Sequence, residues 1–180
     1  MFGVIMGVLV LLVITLTIPF YVNESDILYQ TSLQSMRAQR MSKDVLILTY
    51  RPSISTAQAI SEIQNTLPVW EQEQSTLNAT VGLDSRPLFV QSQPDYTSID
   101  TALRSILAHA QQPIDRTQVQ IVLDHEQHYT QTINQLSSLR QQHIQQSNIL
   151  LAGVQIMLAV LVLAGVISLM LSSKEDKAHD

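Results

Sequence analysis

Within the short stretch from Met36 to Asp44 the sequence carries three basic side chains, Arg37, Arg40 and Lys43. Guanidinium groups present planar forks of N–H donors that match carboxylate, nitrate or phosphate, so a cluster of this kind is a candidate anion site. Arg37 and Arg40 are three residues apart and would share one face of a helix. A twofold dimer would set a second copy of the cluster opposite the first. The plainer reading is a surface ion pair, since Arg40 precedes Asp44 by four residues, and such pairs contribute only a few tenths of a kcal/mol.

Other chemical constellations are weaker. His125 and His128 are three apart and could share a helix face toward a metal, but the spacing is not that of a zinc protease and no third ligand is set by the sequence, so no metal is expected. Glu71 with Glu73 and Asp124 with Glu126 are two apart, point to different sides of a helix and read as solvated. The chain contains no phosphate-binding glycine loop, no nucleophile elbow and no cysteine. Neither an enzyme nor a cofactor is expected, and a net charge of −5 without a basic surface argues against nucleic acid as a partner.

The elements that must position the cluster follow from where the apolar residues fall. Of 180 residues 46% are hydrophobic and 14% charged, and the apolar ones are blocked: 1–22 has no charged side chain, and 149–171 is almost wholly apolar. As a helix the first block would be roughly 33 Å long, enough for a bilayer core. The expected organisation is therefore a membrane span at 1–22, an extracytoplasmic domain at 23–147, a second span at 148–172 and a short cytoplasmic tail at 173–180. Two spans put both termini on one side, and the central domain is expected outside the membrane.

Between the spans, Ile60, Ile63, Leu67, Trp70 and Leu77 recur at steps of three and four with Gln74 in the missing place, and Val119, Val122, Tyr129, Ile133 and Leu136 do the same, interrupted by Glu126 and with Arg140 following in phase. A third series is Ile99, Leu103, Ile106 and Ala110. Breaks are expected at Arg51-Pro52-Ser53, through a loop from Val81 to Pro94, and at Gln111-Gln112-Pro113. The spacing predicts helices over 24–50, 55–79, 95–111 and 114–147, with a capping box at Ser55 and Gln58 and a kink at Pro68. The fold class is all-α, an antiparallel four-helix bundle carried on two transmembrane helices.

The run from Leu28 to Leu46 resembles the first-helix motif of the type IV pili methyl-accepting chemotaxis transducer N-terminal domain, which reads approximately I-N-x-A-G-R-Q-R-M-L-S-Q-R-M-A-K and has a relative in nitrate/nitrite sensor kinases. Met36, Gln39, Arg40, Met41 and Lys43 match position for position, and Ile63 to Leu77, with Leu67, Trp70 and Glu71, is similar to that domain's second helix. Ser35 stands where the nitrate sensors carry the arginine that contacts nitrate, so nitrate specificity does not carry over. Arg37 sits two positions after Ser35, nearly opposite on the helix, so the matching Arg40 is open to structural work, holding the first helix to its neighbours. The expected ligand-binding set is Arg37, Arg40, Lys43 and Ser35 with a small anion as ligand, and the resemblance implies a place in the bacterial inner membrane.

The expected function is a membrane-anchored sensor module without its own output domain, working as a homodimer or as a heteromer with a membrane signalling protein and surrounded by membrane lipid. The alternative is a non-catalytic structural or assembly subunit of a larger membrane complex. Gly153, Ala159, Ala164 and Gly165 in the second apolar block could support close helix packing in either case.

Overall fold

A computed structural model describes the backbone of residues 2–50 and 54–176 and the side chains of 26–50, 56–161 and 163–165. The protein is all-α, with four helices and no strand among the described residues: α1 (Phe2–Tyr50), α2 (Ile54–Thr80), α3 (Arg86–Ala108) and α4 (Arg116–Asp176). The chain divides into two compact units, Asn23–Gln141 and a second formed by Met1–Val22 with Gln142–Asp180.

In the first unit all four helices contribute to one core. Of the apolar series read from the sequence, Ile63, Leu67, Trp70, Leu77, Ile99, Leu103, Ile106, Val119, Val122, Tyr129, Ile133 and Leu136 are buried in it; Ile60 is half-buried against it, and Ala110 lies beyond the end of α3 and outside it. Each series advances by three and four, the steps that keep a stripe on one face of a 3.6-residue turn. At mid-height the core holds an aromatic cluster, with the Trp70 ring 4.5 Å from Tyr96 and 5.5 Å from Tyr129 between centroids. A buried polar layer lies beside it. Gln34 of α1 donates from Nε2 to the Trp70 carbonyl at 2.8 Å, while the Tyr129 hydroxyl stands 2.6 Å from Gln34 Oε1 and 3.1 Å from Gln74 Oε1. A phenol has one proton, which it donates to the nearer of the two amide oxygens, that of Gln34. Burial pushes the phenol pKa of Tyr129 well above its ordinary value and that of Tyr96 to about 12, so both are neutral donors.

One expectation is corrected. The segment from Arg86 to Pro94 is helix, not loop, and α3 ends at Ala108 rather than at 111. Pro87 lies in the first turn, where its missing N–H has no helical partner to lose. Pro94 lies inside the helix, and the carbonyl it leaves without a helical partner belongs to Val90, an exposed residue. Pro68 is accommodated inside α2 in the same way, one turn after the exposed Gln64. The break at 51–53 and the Ser55 side chain of the expected capping box lie outside the described residues, whereas α4 begins with Asp115 accepting a hydrogen bond from the Thr117 N–H at 2.8 Å.

Two polar ties lock the neighbours of α4. His125 donates from Nδ1 to one carboxylate oxygen of the buried Asp95 at 2.7 Å, and His128 donates to the other. Burial pushes the Asp95 pKa up, but the two imidazole hydrogen bonds and their charge outweigh it and leave the carboxyl below its ordinary value. Arg140, buried and in phase with the α4 apolar series, reaches Asp84 at 3.4 Å in the α2–α3 connection. A Cβ on Gly82 would meet its guanidinium at 2.8 Å, so glycine is what permits this approach.

In the second unit, α4 includes a stretch long and apolar enough to cross a membrane. Its large side chains, Ile149, Leu150, Ile156, Met157, Val160, Leu161 and Leu163, are exposed in the monomer, unlike those of a core helix. The side chains of the other expected span, 1–22, and of the tail, 173–180, lie outside the described residues, although 2–22 is helical backbone within α1.

Candidate functional site at the seam of helices 1 and 2

The basic cluster lies along the seam between α1 and α2, and its members part company there. Arg37 forms an ion pair with Glu73 at 2.8 Å, with both side chains largely covered. Arg40 pairs with Glu62 instead of with Asp44 one turn along its own helix, and both of these side chains are more open to solvent. Glu62 and Glu73 are eleven residues apart on α2, roughly 16 Å along the axis. The two arginines therefore project toward different levels and do not form a joint fork. Glu73 is also not the solvated residue expected from its spacing, being held against Arg37, and Glu71 pairs with Arg104 of α3.

At the level of Arg40 the seam opens into a cavity of about 270 Å³, lined by Arg40, Lys43, Asp44 and Ile47 of α1 and by Gln58, Ala59 and Glu62 of α2. Of the four residues expected to bind a ligand, the structure brings Arg40 and Lys43 together here. Arg37 is engaged elsewhere on the seam, and Ser35 is buried away from the cavity lining. The residues missed in the sequence are the acidic half of the lining, Asp44 and Glu62, together with the Gln58 amide. Asp44 was visible as a partner for Arg40, but only the register of α1 against α2 brings Glu62 and Gln58 to the same place.

The electrostatics are those of a balanced but incomplete set. Two cations, Arg40 and Lys43, face two carboxylates, Asp44 and Glu62. Asp44 is 8% exposed, and among the described residues no donor reaches its Oδ2. Its pKa is raised, first by burial and then by the charge of Glu62, against the pull of Arg40 and Lys43. A buried carboxylate oxygen without a donor is costly. The small side chain of Ala59 and the flank of Ile47 give the cavity an apolar part. Lys43 is exposed.

Compared with protein-family models, with curated proteins and with solved structures, the chain matches none.

Proposed function

We propose that the chain is a membrane-anchored extracytoplasmic sensor module in the bacterial plasma membrane. In this reading the unit at 23–141 is an antiparallel four-helix bundle on two membrane spans. It takes a small polar ligand in the α1–α2 cavity and passes a helix displacement to a separate signalling protein. The single observation that carries the reading is that the cavity is lined by Arg40 and Lys43 on α1, a helix that continues unbroken to Phe2 through a segment without charged residues. A ligand drawing these side chains together moves α1 against its neighbours, and helix shifts of about 1–2 Å suffice for switching in packed helical proteins. The likeness of Leu28–Leu77 to the chemotaxis transducer input domain points the same way.

The test is a distance measurement between spin labels at Ser32→Cys on α1 and Ser138→Cys on α4, both exposed positions. It is made on the full chain in lipid nanodiscs, with nitrate, phosphate, small carboxylates and amino acids added in turn. A ligand-dependent change in the distance distribution is expected for at least one of them. An unchanged distribution with every addition would contradict the sensor reading.

A second reading, a non-catalytic assembly subunit, is favoured by the outer face of α1, where Tyr29, Met36, Leu46 and Tyr50 are exposed together with Lys43 at helical spacing. A partner helix laid along that face would need no ligand. Single cysteines from Ser32 to Met41 that cross-link in membranes with a period near 3.6 residues would reveal such a contact, and the spin-label distance would then be indifferent to small molecules.

A further inference from the structure

The tie between α3 and α4 has an outer side, away from the α1–α2 cavity. Asp95 of α3 is buried, and both of its carboxylate oxygens are met by imidazoles of α4, Oδ1 by His125 Nδ1 at 2.7 Å and Oδ2 by His128 Nδ1. The carboxyl is held ionised, and a carboxylate only accepts, so each Nδ1 carries a proton. In a neutral imidazole the lone pair then lies on Nε2, across the ring from this contact. Both outer ends are open: the side chains of His125 and His128 are 38% and 55% exposed, against 11% for Asp95. Among the described residues no protein group meets either Nε2. We propose that this pair binds a divalent d-block ion of the imidazole-seeking kind, zinc or copper. His125 and His128 are its ligands through Nε2, Asp95 is the positioning residue behind them, and water fills the remaining positions.

Spacing, orientation and charge carry the assignment together. Residues three apart on a helix share a face and lie roughly 4.5 Å apart along its axis, and a common carboxylate holds these two rings side by side. A metal-bound histidine ordinarily donates its other ring N–H to a carboxylate or carbonyl, which fixes the tautomer and makes the free nitrogen more basic. Here one aspartate from a different helix supplies that support to both imidazoles, which the spacing within α4 does not reveal. His109 differs: its Nδ1 lies 2.9 Å from the Ser105 carbonyl, and no second imidazole shares the contact. The local field also suits a cation. Between 87 and 103 on α3 and between 117 and 139 on α4 there is no lysine or arginine, while Asp95, Asp124 and Glu126 lie at or beside the histidines. Asp124 accepts from Gln120 and Glu126 from Thr130, so these two contribute charge rather than ligand atoms. Among the described residues no group of three candidate ligands exists, so the ion is held by two imidazoles and exchanges readily.

The test takes the untagged full chain in detergent micelles, titrates it calorimetrically with zinc chloride, and records the electron paramagnetic resonance of its copper(II) form. Zinc should bind saturably at this pair. His125→Gln and His128→Gln should each weaken that binding by about a hundredfold, since either leaves one imidazole in place of a chelate, and His109→Gln should leave it unchanged. Asp95→Asn keeps both ligands but not the charged acceptor behind them, and should weaken binding by about tenfold to a hundredfold. The copper spectrum of the parent should show two imidazole nitrogens, falling to one in either histidine variant. It should stay at two in Asp95→Asn at saturating copper, which separates lost positioning from a lost ligand. Zinc binding no tighter than in the chain with both histidines replaced, or undiminished binding in either single variant, would overturn the site. A single coordinated imidazole in the parent would overturn it too, whether or not any variant folds. Unchanged affinity in Asp95→Asn would overturn the positioning role.

Discussion

The seam between α1 and α2 and the contact between α3 and α4 both place a buried aspartate against the neighbouring helix, and the two aspartates fare differently. Asp95 receives a hydrogen bond on each carboxylate oxygen, from His125 and His128, and its pKa falls below the ordinary value despite burial. Asp44 is buried as deeply, yet among the described residues its Oδ2 has no donor, and its pKa rises. One carboxylate is held charged and ties two helices together. The other is covered without a donor on that oxygen. Finished polar contacts of the first kind specify packing, whereas a buried carboxylate oxygen of the second kind costs stability while it is charged.

The largest expected effect removes what both regions share. Trp70 touches the rings of Tyr96 and Tyr129, and its backbone carbonyl accepts from Gln34, so it joins all four helices. Trp70→Ala should destabilise the full chain in micelles by about 3–5 kcal/mol in chemical denaturation. A loss below about 1 kcal/mol would mean that the central layer does not couple the two regions.

Next in size is the α3–α4 tie. Asp95→Asn should cost about 1–2 kcal/mol at pH 7, at the low end for hydrogen bonds to a charged group because the histidines are partly exposed. Because the folded pKa of Asp95 is depressed, its contribution is present above the ordinary value of 3.8 and is lost as pH falls through the lower folded value. The parent and variant stability curves should therefore converge in acid. Curves that stay parallel would remove the carboxylate from the tie.

Within the α1–α2 seam the two arginines should separate by exposure. Arg37→Ala strands the largely covered Glu73 and is expected to cost about 1–2 kcal/mol. Arg40→Ala releases a pair open to solvent and should cost less than about 1 kcal/mol. Equal losses would show that the two pairs do the same structural work.

Much of this arrangement was legible from one sequence because helical periodicity reports which face of each helix is covered. The positions of Gln74 and Arg140, polar residues in phase with apolar series, already marked them for burial, and both are buried. The start of α3 is not legible in the sequence, because Pro87 and Pro94 ordinarily break a helical pattern. The first costs nothing in an opening turn, and the second lies on an exposed side. The basic half of the cavity stood out as neighbours in sequence. Its acidic partner Glu62, and the meeting of Asp95 with residues 30 and 33 positions away, depend on the register between helices, about which periodicity within one helix is silent. The same register sends Arg37 and Arg40 to different carboxylates although they share a face.

The most direct test of the difference between the two aspartates is the stability of Asp44→Asn against the parent across pH, in the absence of ligand. A carboxylate whose folded pKa is raised favours the folded state only when protonated, so its charge burdens the fold as pH rises through that value. Asp44→Asn should match or exceed the parent by up to about 1 kcal/mol at pH 7, with the advantage vanishing in acid, opposite in sign to Asp95→Asn. A loss of more than about 1 kcal/mol at pH 7 would show that the Asp44 carboxylate has a stabilising partner, and would contradict the difference drawn between the two aspartates.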